Sequence, residues 1–233
     1  VLVMFDTLLE YASEIARKVD IIINDVVSGK EKQLYDASLH LIKAGGKRLR
    51  PLLTVLSAKI FGLDENVALY PAAAVEILHN FTLIHDDIMD RDEFRRGVPT
   101  VHKIYGEALA ILAGDLLFAK SYEALLRLTE LGIPRDNIIK ALKELTWAAV
   151  TVAEGQALDM EFEGRVDVSE EEYLTMIYKK TAALFKASAY IGAVVAGADE
   201  HNLNNISNFA KYIGMAFQIR DDELGLVGDE KVL

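Results

Sequence analysis

Residues 72–90, AAAVEILHNFTLIHDDIMD, indicate the fold class of this 233-residue chain. The stretch is nearly all apolar until its last turn, where Asp86, Asp87 and Asp90 follow one another closely. Apolar residues do not alternate with polar ones as in a half-buried strand. The stretch therefore predicts a central α-helix that is buried on several sides and ends in carboxylates.

The rest of the chain repeats this helical spacing. Apolar residues trace one stripe from Leu8 to Ile23, and a second helix containing Leu39 ends at the Gly45-Gly46 pair. A third helix is predicted to open at Pro51 and to close near Gly62. Further helices are predicted over Tyr105–Leu131, Pro134–Phe162, Ser169–Ala198 and Leu203–Leu224, with a polar loop over Arg91–Thr100. With only 4 prolines and no convincing strand, the chain is predicted to be all-α.

Composition excludes several kinds of function. Hydrophobic residues make up 52% of the chain and charged residues 26%, which is typical of a globular protein. The net charge of −11 gives no sign of nucleic-acid binding, and the absence of cysteine excludes disulfides and cysteine-ligated zinc. The most apolar stretch, Ala182–Ala198, contains Lys186 and is slightly short for a membrane span, so we expect a buried helix.

The first acidic motif is predicted to bind a metal ion. Asp86 and Asp90 lie one turn apart on the same face of an ideal helix, and His79 lies on that face about two turns earlier. Carboxylates at a helix C-terminus oppose the helix dipole, and here they follow an apolar run. A solvated acidic helix end is the simpler alternative. The position nevertheless suits Mg²⁺, a hard cation that binds oxygen and shares its ligands with substrate phosphate.

A second acidic motif follows another apolar helix. Gln218, Asp221, Asp222 and Gly225 share one face by helical spacing. Two such motifs, each closing a buried helix, predict two metal-binding groups that face one another.

Basic residues form two clusters. Residues 45–51, GGKRLRP, place three cations beside a flexible turn, and the spacing does not match a Walker loop. Arg95 and Arg96 come just after the first acidic motif, and arginine suits diphosphate oxygens. Each cluster alone is typical of an ordinary surface. Histidine-ligated zinc is not predicted, because the chain has no HExxH motif, and His85 is expected to be structural.

In this order, the motifs resemble those of the trans-isoprenyl diphosphate synthases, and most of all the archaeal geranylgeranyl diphosphate synthases. The matching stretches are Gly45–Pro51, Glu76–His79, Leu83–Asp90, Arg95–Gly97, Gly114-Asp115, Gly155-Gln156 with Asp159, Lys180–Ala182 and Phe217–Asp222. The resemblance implies one all-α domain over residues 1–233, a bundle of about ten helices around a deep central cavity. It also implies a cytoplasmic homodimer without a membrane span. The chain begins at Val1 and stops after Glu230–Leu233, and we expect both ends to be incomplete.

The resemblance also implies a role for each matching residue. Asp86 and Asp90 are expected to bind two Mg²⁺ ions, and Asp221 a third. The allylic diphosphate (dimethylallyl, geranyl or farnesyl) is expected to be held by Arg95, Lys180 and Gln218. Isopentenyl diphosphate is expected to be held by Lys47, Arg50, His79 and Arg96. Thr181 and Gln218 are expected to direct oxygen dipoles at the developing allylic cation.

The resemblance implies geranylgeranyl diphosphate as the product, with Phe81 as the floor of the tail pocket and the smaller Thr82 beside it. On an ideal helix, however, Thr82 lies nearer the Asp86 face and Phe81 is turned well away from it. Two departures stand out. Many members have aspartate where this chain has Gly225, and the family continues past the second motif with further lysines.

Other functions remain open at the level of sequence. A farnesyl or longer-chain synthase would carry the same motifs. A terpene cyclase shares an Asp-rich motif but does not need Lys47, Arg50 and Arg96, and its usual second motif is missing. A non-catalytic partner subunit tends to lose metal carboxylates, which this chain retains. An acidic helical scaffold without a ligand would gain no stability from Mg²⁺ with a bisphosphonate.

Overall fold

A computed structural model describes the backbone of residues 2–227 and the side chains of residues 7–225. Residue 1 and residues 228–233, which belong to the predicted domain and to its predicted incomplete ends, lie outside the described residues.

The described part of the chain contains ten α-helical segments, which confirms the predicted all-α bundle. They are α1 (Leu2–Val26), α2 (Lys32–Lys43), α3 (Leu49–Ile60), α4 (Glu65–Met89), α5 (Val101–Tyr105), α6 (Glu107–Leu126), α7 (Arg135–Phe162), α8 (Glu170–Ile177), α9 (Ala183–Val195) and α10 (Glu200–Val227). A 3₁₀ turn, Arg127–Glu130, follows α6, and a π-helical turn, Tyr178–Ala182, joins α8 to α9. Two short antiparallel strands, β1 (Phe94–Arg95) and β2 (Val98–Pro99), form a hairpin within the predicted loop.

Helices α4 and α9 form the centre of the bundle. Helix α4 packs against α1, α3, α6 and α9, and α9 packs against α3, α7 and α10. Most apolar residues of both helices are buried, as predicted, although Met89 in the last turn of α4 is 44% exposed. Helix α4 is the one described helix that is long and apolar enough to cross a membrane, but 67% of its most apolar window is buried inside the fold. Its composition is therefore that of a core helix.

Three predicted helices differ most from the structure: one begins earlier than predicted and two are interrupted by local turns. Helix α4 begins at Glu65 rather than Ala72, because Asp64 caps it and the helix continues through Pro71. The predicted helix Tyr105–Leu131 is broken at Gly106, whose φ of 83° ends α5. The predicted helix Ser169–Ala198 is interrupted by the π-helical turn.

The start of that last helix matches its prediction. The Ser169 hydroxyl accepts a hydrogen bond from the Glu172 backbone N–H at 3.2 Å, and the Glu172 carboxylate accepts one from the Ser169 N–H at 2.9 Å. This reciprocal pair satisfies two N–H groups at the helix start.

Candidate active site

One cavity of about 570 Å³ lies among α3, α4, the hairpin, the π-helical turn and α10. All of the residues predicted to bind metal or diphosphate line it, together with Thr82. They are Lys47, Arg50, His79, Asp86, Asp90, Arg95, Arg96, Lys180, Thr181, Gln218 and Asp221. Residues far apart in the sequence are thus brought to one place by the packing of the bundle.

The carboxylates of the cavity come from two facing helices. Asp86 and Asp90 extend from α4, and Asp221 extends from α10. Burial raises the pKa of Asp86 to about 7, with Asp90 adding to the rise and Lys180 opposing it. Asp90 accepts a hydrogen bond from the Gln156 amide at 3.2 Å, whereas Asp86 and Asp221 accept none from the described residues. These carboxylates are therefore available to a cation.

The donor set fits Mg²⁺ that is shared with a phosphate. Carboxylate oxygens are hard ligands, which Mg²⁺ prefers. No group of three histidine, cysteine, aspartate or glutamate side chains among the described residues is close enough to form a complete metal cage. Mg²⁺ usually takes one or two carboxylates and completes its shell with water and substrate phosphate.

The middle acid of the first motif has a different environment. Asp87 is fully buried, and its Oδ1 accepts a hydrogen bond from Arg95 Nε. Arg95 also donates to Asp92 at 3.1 Å. Two carboxylates therefore hold the Arg95 guanidinium at the cavity wall. Asp87 Oδ2 has no hydrogen-bond partner among the described residues, and Asp87 does not line the cavity.

The glycine turn after α2 binds two arginines through its backbone. The Gly45 carbonyl accepts hydrogen bonds from Arg48 at 3.0 Å and from Arg96 at 2.5 Å. Gly46 has a φ of +142°, and a Cβ at this position would lie 3.0 Å from both guanidinium groups. A larger residue at Gly46 would therefore displace the arginines that close this side of the cavity.

Sequence reasoning missed the buried ion pair that supports this turn. Arg48 is buried and lies 3.0 Å from Glu76, a fully enclosed carboxylate on α4 that also accepts a hydrogen bond from Asn80. Burial raises the pKa of Glu76, and Arg48 is the strongest group opposing the rise. The available signal was Glu76 inside an apolar run, with Asn80 one turn later.

His79 is held as a neutral imidazole. Its Nε2 lies 3.2 Å from Arg50 Nη1, and arginine can only donate, so Nε2 accepts. Burial and then the charge of Arg50 lower the pKa of His79 well below its usual value. Arg50 also stacks over the Phe185 ring at 4.4 Å, while Lys47 is exposed at the cavity edge.

The π-helical turn supplies two cavity residues. Lys180 donates to Asp159 at 2.5 Å, and the Thr181 hydroxyl lies 2.7 Å from Gln218 Oε1. Asp222 turns aside: it accepts from Gln218 and does not line the cavity. Only Asp221 therefore reaches the cavity, whereas Asp222 contacts Gln218 one turn earlier, as their spacing on one helical face allows. Gly225 is exposed, and a Cβ added there would have nothing within 4 Å.

A second cavity of about 430 Å³ is mostly apolar and adjoins the first. Thr82, Asp86 and Val152 line both cavities. Phe81 lines only the apolar one, which agrees with the helical wheel that turned it away from the Asp86 face. Its ring centroid lies 5.3 Å from that of Phe118, which in turn lies 5.2 Å from Tyr122. These three rings form one aromatic wall.

The comparisons with known proteins agree with this geometry. The geranylgeranyl diphosphate synthase of Sulfolobus acidocaldarius is 52% identical over 96% of this chain and 67% of its own length. The structure of the Pyrococcus horikoshii geranylgeranyl pyrophosphate synthetase superimposes with a TM-score of 0.92 and 44% identity, covering 98% of this chain and 69% of that one. A Caulobacter crescentus polyprenyl synthase complexed with calcium and isoprenyl diphosphate gives a TM-score of 0.88 and 36% identity, over 97% of this chain and 66% of that one.

The helical bundle and its cavity define the isoprenoid-synthase class of fold. Residues 31–233 match the model of the polyprenyl synthetase family. The chain belongs to the polyprenyl synthetase family, whose members are trans-prenyltransferases and are generally metal-dependent. This confirms the resemblance noted from the ordered motifs. The chain spans about two thirds of the length of these relatives.

Proposed function

We propose that this chain joins isopentenyl diphosphate to an allylic diphosphate and that its main product is geranylgeranyl diphosphate. The observation that carries the proposal is the single cavity in which carboxylates of α4 and α10 meet cations from three separate segments. A terpene cyclase has one diphosphate to bind, whereas here Lys47, Arg50, Arg95, Arg96 and Lys180 all line the cavity with the carboxylates. Residues 1–233 would act as one catalytic domain.

We place the allylic diphosphate beside the carboxylates of α4 and α10. Asp86, Asp90 and Asp221 would hold three Mg²⁺ ions with substrate bound, and these ions would neutralise the charge of the leaving diphosphate. Arg95 and Lys180 carry their positive charges on the same side, each supported by a carboxylate. Gln218 would add its amide to this side of the site.

Isopentenyl diphosphate has its proposed place beside the glycine turn. Arg96 and Arg50 present guanidinium groups there, His79 offers a neutral imidazole, and Lys47 adds an exposed charge at the edge. Guanidinium groups suit diphosphate because their planar N–H groups match two oxygens at once. Because burial lowers the pKa of Arg50 only to about 10, the group stays charged at neutral pH.

The proposed reaction has three bond changes. The allylic C–O bond breaks and its electron pair leaves with the diphosphate. The double bond of isopentenyl diphosphate then forms the new C–C bond to the allylic carbon. A proton is finally lost from the resulting cation, and the released diphosphate can take it. Thr181 and Gln218 oxygens stabilise the positive charge, and apolar walls keep water away from it.

The tail of the product has its proposed place in the apolar cavity. Phe81 lies five residues before Asp86, about 7.5 Å along α4 at 1.5 Å per residue. Its ring packs against that of Phe118, and both residues line the apolar cavity, which Asp86 also lines. Phe81 would therefore stop the growing tail, and Thr82 would leave it room to pass.

We further propose a cytoplasmic homodimer. Helix α6 exposes Ile111, Leu112 and Phe118, which are 41%, 54% and 38% accessible in the isolated chain. Covering such side chains with a second copy removes apolar area from water. Light scattering would test the oligomeric state, and a monomer at micromolar concentration would contradict this part of the proposal.

The deciding experiment is incubation of the chain with Mg²⁺, isopentenyl diphosphate and allylic starters of increasing length, followed by product chromatography. We expect geranylgeranyl diphosphate as the main product. The variant Asp86→Ala should stay folded and lose turnover by orders of magnitude, because it removes a carboxylate at the metal end. Near-normal turnover in the folded variant would contradict the metal-binding role, and a shorter or longer wild-type product would correct the proposed length.

A further inference from the structure

The Gln218 side chain belongs to a line of hydrogen bonds that reaches helix α8. Gln218 Oε1 lies 2.7 Å from the Thr181 hydroxyl, and its Nε2 lies 2.7 Å from Asp222 Oδ1. The second oxygen of that carboxylate, Asp222 Oδ2, lies 2.5 Å from the Tyr173 hydroxyl. Side chains of α8, α10 and the π-helical turn are thus joined in one network. No motif of the sequence pointed to Tyr173.

The chemistry of these groups fixes the direction of every bond. An ionised carboxylate only accepts, so both the Tyr173 hydroxyl and the Gln218 amide nitrogen must donate to Asp222. Gln218 Oε1 must then face Thr181, whose hydroxyl donates to it. A flipped amide would place its oxygen against the carboxylate. Burial, reinforced by Asp222, raises the pKa of Tyr173 to about 12, so the tyrosine keeps the proton that it donates.

The network separates residues at the cavity from residues behind it. Gln218 and Thr181 line the cavity, while Asp222 and Tyr173 do not. Gln218 Oε1 uses one lone pair for Thr181, and the Thr181 oxygen uses only its proton, so both oxygens keep lone pairs for the cavity. Dipoles that are already fixed stabilise a developing charge without reorganisation.

We propose that Tyr173 and Asp222 are positioning residues for prenyl transfer, which fix the Gln218 amide so that its oxygen and that of Thr181 face the allylic carbon as it becomes positive. This inference rests on the proposed function. It gives Asp222 a role distinct from that of its neighbour Asp221: Asp222 orients an amide, whereas Asp221 is free to bind a metal.

The test compares three variants of the full chain. Tyr173→Phe removes the hydroxyl at the far end of the network. Tyr190→Phe is the matched control, because the Tyr190 hydroxyl makes no hydrogen bond with any described residue. Asp222→Asn is the conservative variant, since asparagine can still accept from Gln218 through its oxygen while its amide donates to Tyr173.

Three measurements report separately on the position of the Gln218 amide, on catalysis and on the metal site. The chain has three glutamines, so glutamine-specific ¹⁵N labelling gives three pairs of side-chain N–H signals, and the loss of one pair in Gln218→Glu identifies that of Gln218. Steady-state kinetics with both substrates give kcat and each KM. Magnesium-dependent stabilisation by a bisphosphonate reports whether the metal site is intact.

We expect Tyr173→Phe to shift the Gln218 amide signals and to lower kcat about tenfold, the scale of one hydrogen bond to a charged group, with each KM within about twofold. Tyr190→Phe should change neither, and Asp222→Asn should retain most of kcat and the bisphosphonate effect. Unshifted Gln218 signals in Tyr173→Phe, or an unchanged kcat, would overturn the inference. Loss of the bisphosphonate effect in Asp222→Asn would overturn it in favour of a metal ligand. Shifted signals in a chain whose wild type makes no prenyl product would support the positioning network and refute the proposed function instead.

Discussion

At the scale of single residues, Arg95 and Arg96 show how neighbours acquire separate tasks. Arg96 has a φ of 54° and Gly97 one of 75°, so they form the tight turn of the hairpin between β1 and β2. The Arg95 side chain goes to Asp87 and Asp92, whereas that of Arg96 goes to the carbonyls of the glycine turn. Adjacent residues of an extended segment point in opposite directions. The tight turn at Arg96 is a second reason why the two side chains have different partners.

We predict that Arg95→Lys and Arg96→Lys change different Michaelis constants. Lysine keeps the charge but loses the planar fork that contacts two oxygens at once. Arg95→Lys should raise KM for the allylic diphosphate, and Arg96→Lys should raise KM for isopentenyl diphosphate, by about tenfold each. Steady-state kinetics with one substrate saturating measure this directly. Identical kinetic profiles for the two variants would refute the division between the two diphosphates.

We predict that Phe81→Ala lengthens the product and that Thr82→Phe shortens it. Removing the Phe81 ring opens the apolar cavity toward Phe118, while a ring at position 82 narrows the passage shared by both cavities. Truncation of a packed phenylalanine costs about 3–5 kcal/mol, so folding must be confirmed first by thermal denaturation. Phe209→Ala, which removes a ring that is 60% exposed on α10, is the control.

Chromatography of the products decides the question. An unchanged product spectrum from folded, active Phe81→Ala would show that another residue is the floor. The Phe81 ring would then serve only to pack against Phe118 and its other neighbours.

The sequence predicted the positions of individual residues correctly where all of them belong to one helix. That Asp86 and Asp90 lie on the same face of α4 follows from their spacing alone. The ion pair of Arg48 with Glu76 and the hydrogen bond of Tyr173 to Asp222 join residues 28 and 49 positions apart. Such contacts depend on how helices pack, which helical periodicity does not specify.

At the scale of elements, the π-helical turn Tyr178–Ala182 determines where Lys180 and Thr181 point. Helix α7 approaches this turn so closely that a Cβ on Gly155 would lie 2.3 Å from the Lys180 backbone nitrogen. Such π-helical turns are frequent at functional sites. The sequence predicted a continuous helix here, because apolar residues surround the turn on both sides and no glycine or proline interrupts them. The first two turns of α4, before Ala72, were missed because proline normally disfavours a helix interior. Here Pro71 is buried within α4, and the helix continues through it.

We predict that Gly155→Ala lowers both stability and turnover. The methyl group would meet backbone rather than a flexible side chain, so α7 and the π-helical turn must move apart. Overpacking typically costs about 1–3 kcal/mol, and the displacement of Lys180 and Thr181 should lower kcat at least tenfold. Thermal denaturation and kinetics measure the two effects.

The matched control is Gly225→Ala, an exposed helical site with nothing within 4 Å of the new methyl group. Alanine is the better helix former there by about 1 kcal/mol, so this variant should be at least as stable as the wild type, with unchanged kcat. Equal behaviour of the two variants would contradict the close approach of α7 to the turn.

At the scale of the whole molecule, charge is distributed unevenly. The chain carries a net charge of −11, yet arginine and lysine side chains line the cavity that holds Asp86, Asp90 and Asp221. The sequence predicted the all-α class and nearly every helix, because both follow from local periodicity. The residues that line the cavity were also predicted, but their roles came from the resemblance to trans-isoprenyl diphosphate synthases. Helical wheels did not place Lys180 opposite Asp86, because only the packed bundle brings α4 and the π-helical turn together.

Stability of the metal-free chain should depend on pH through Asp86. Its pKa in the folded chain is about 7, well above its usual value, because burial penalises the charged form. The folded state therefore binds this proton more tightly than the unfolded state does. Between about pH 4 and pH 7, Asp86 is protonated in the folded state but ionised in the unfolded state. In this range the contribution of Asp86 to stability falls as pH rises. Above that window the buried charge remains as a constant cost.

Mg²⁺ with a bisphosphonate should reverse this trend, because the ion binds the ionised carboxylate. We predict a stabilisation that grows as pH rises through about 7 and reaches about 2.7 kcal/mol when the ligand is present at 100 times its dissociation constant. For a chain of this size that is a rise of about 5–10 °C in Tm. In Asp86→Asn the ligand effect should disappear, while the metal-free variant at pH 8 should be more stable than the wild type.

Asp136→Asn is the control for the loss of one negative charge, because Asp136 is exposed on α7 and makes no described hydrogen bond. It should keep the full ligand effect at every pH. Thermal denaturation between pH 5.5 and pH 8.5, with and without Mg²⁺ and the bisphosphonate, measures all three proteins. If the wild type gained as much at pH 5.5 as at pH 8.5, or if Asp86→Asn kept the gain, Asp86 would not be the carboxylate through which the ion binds.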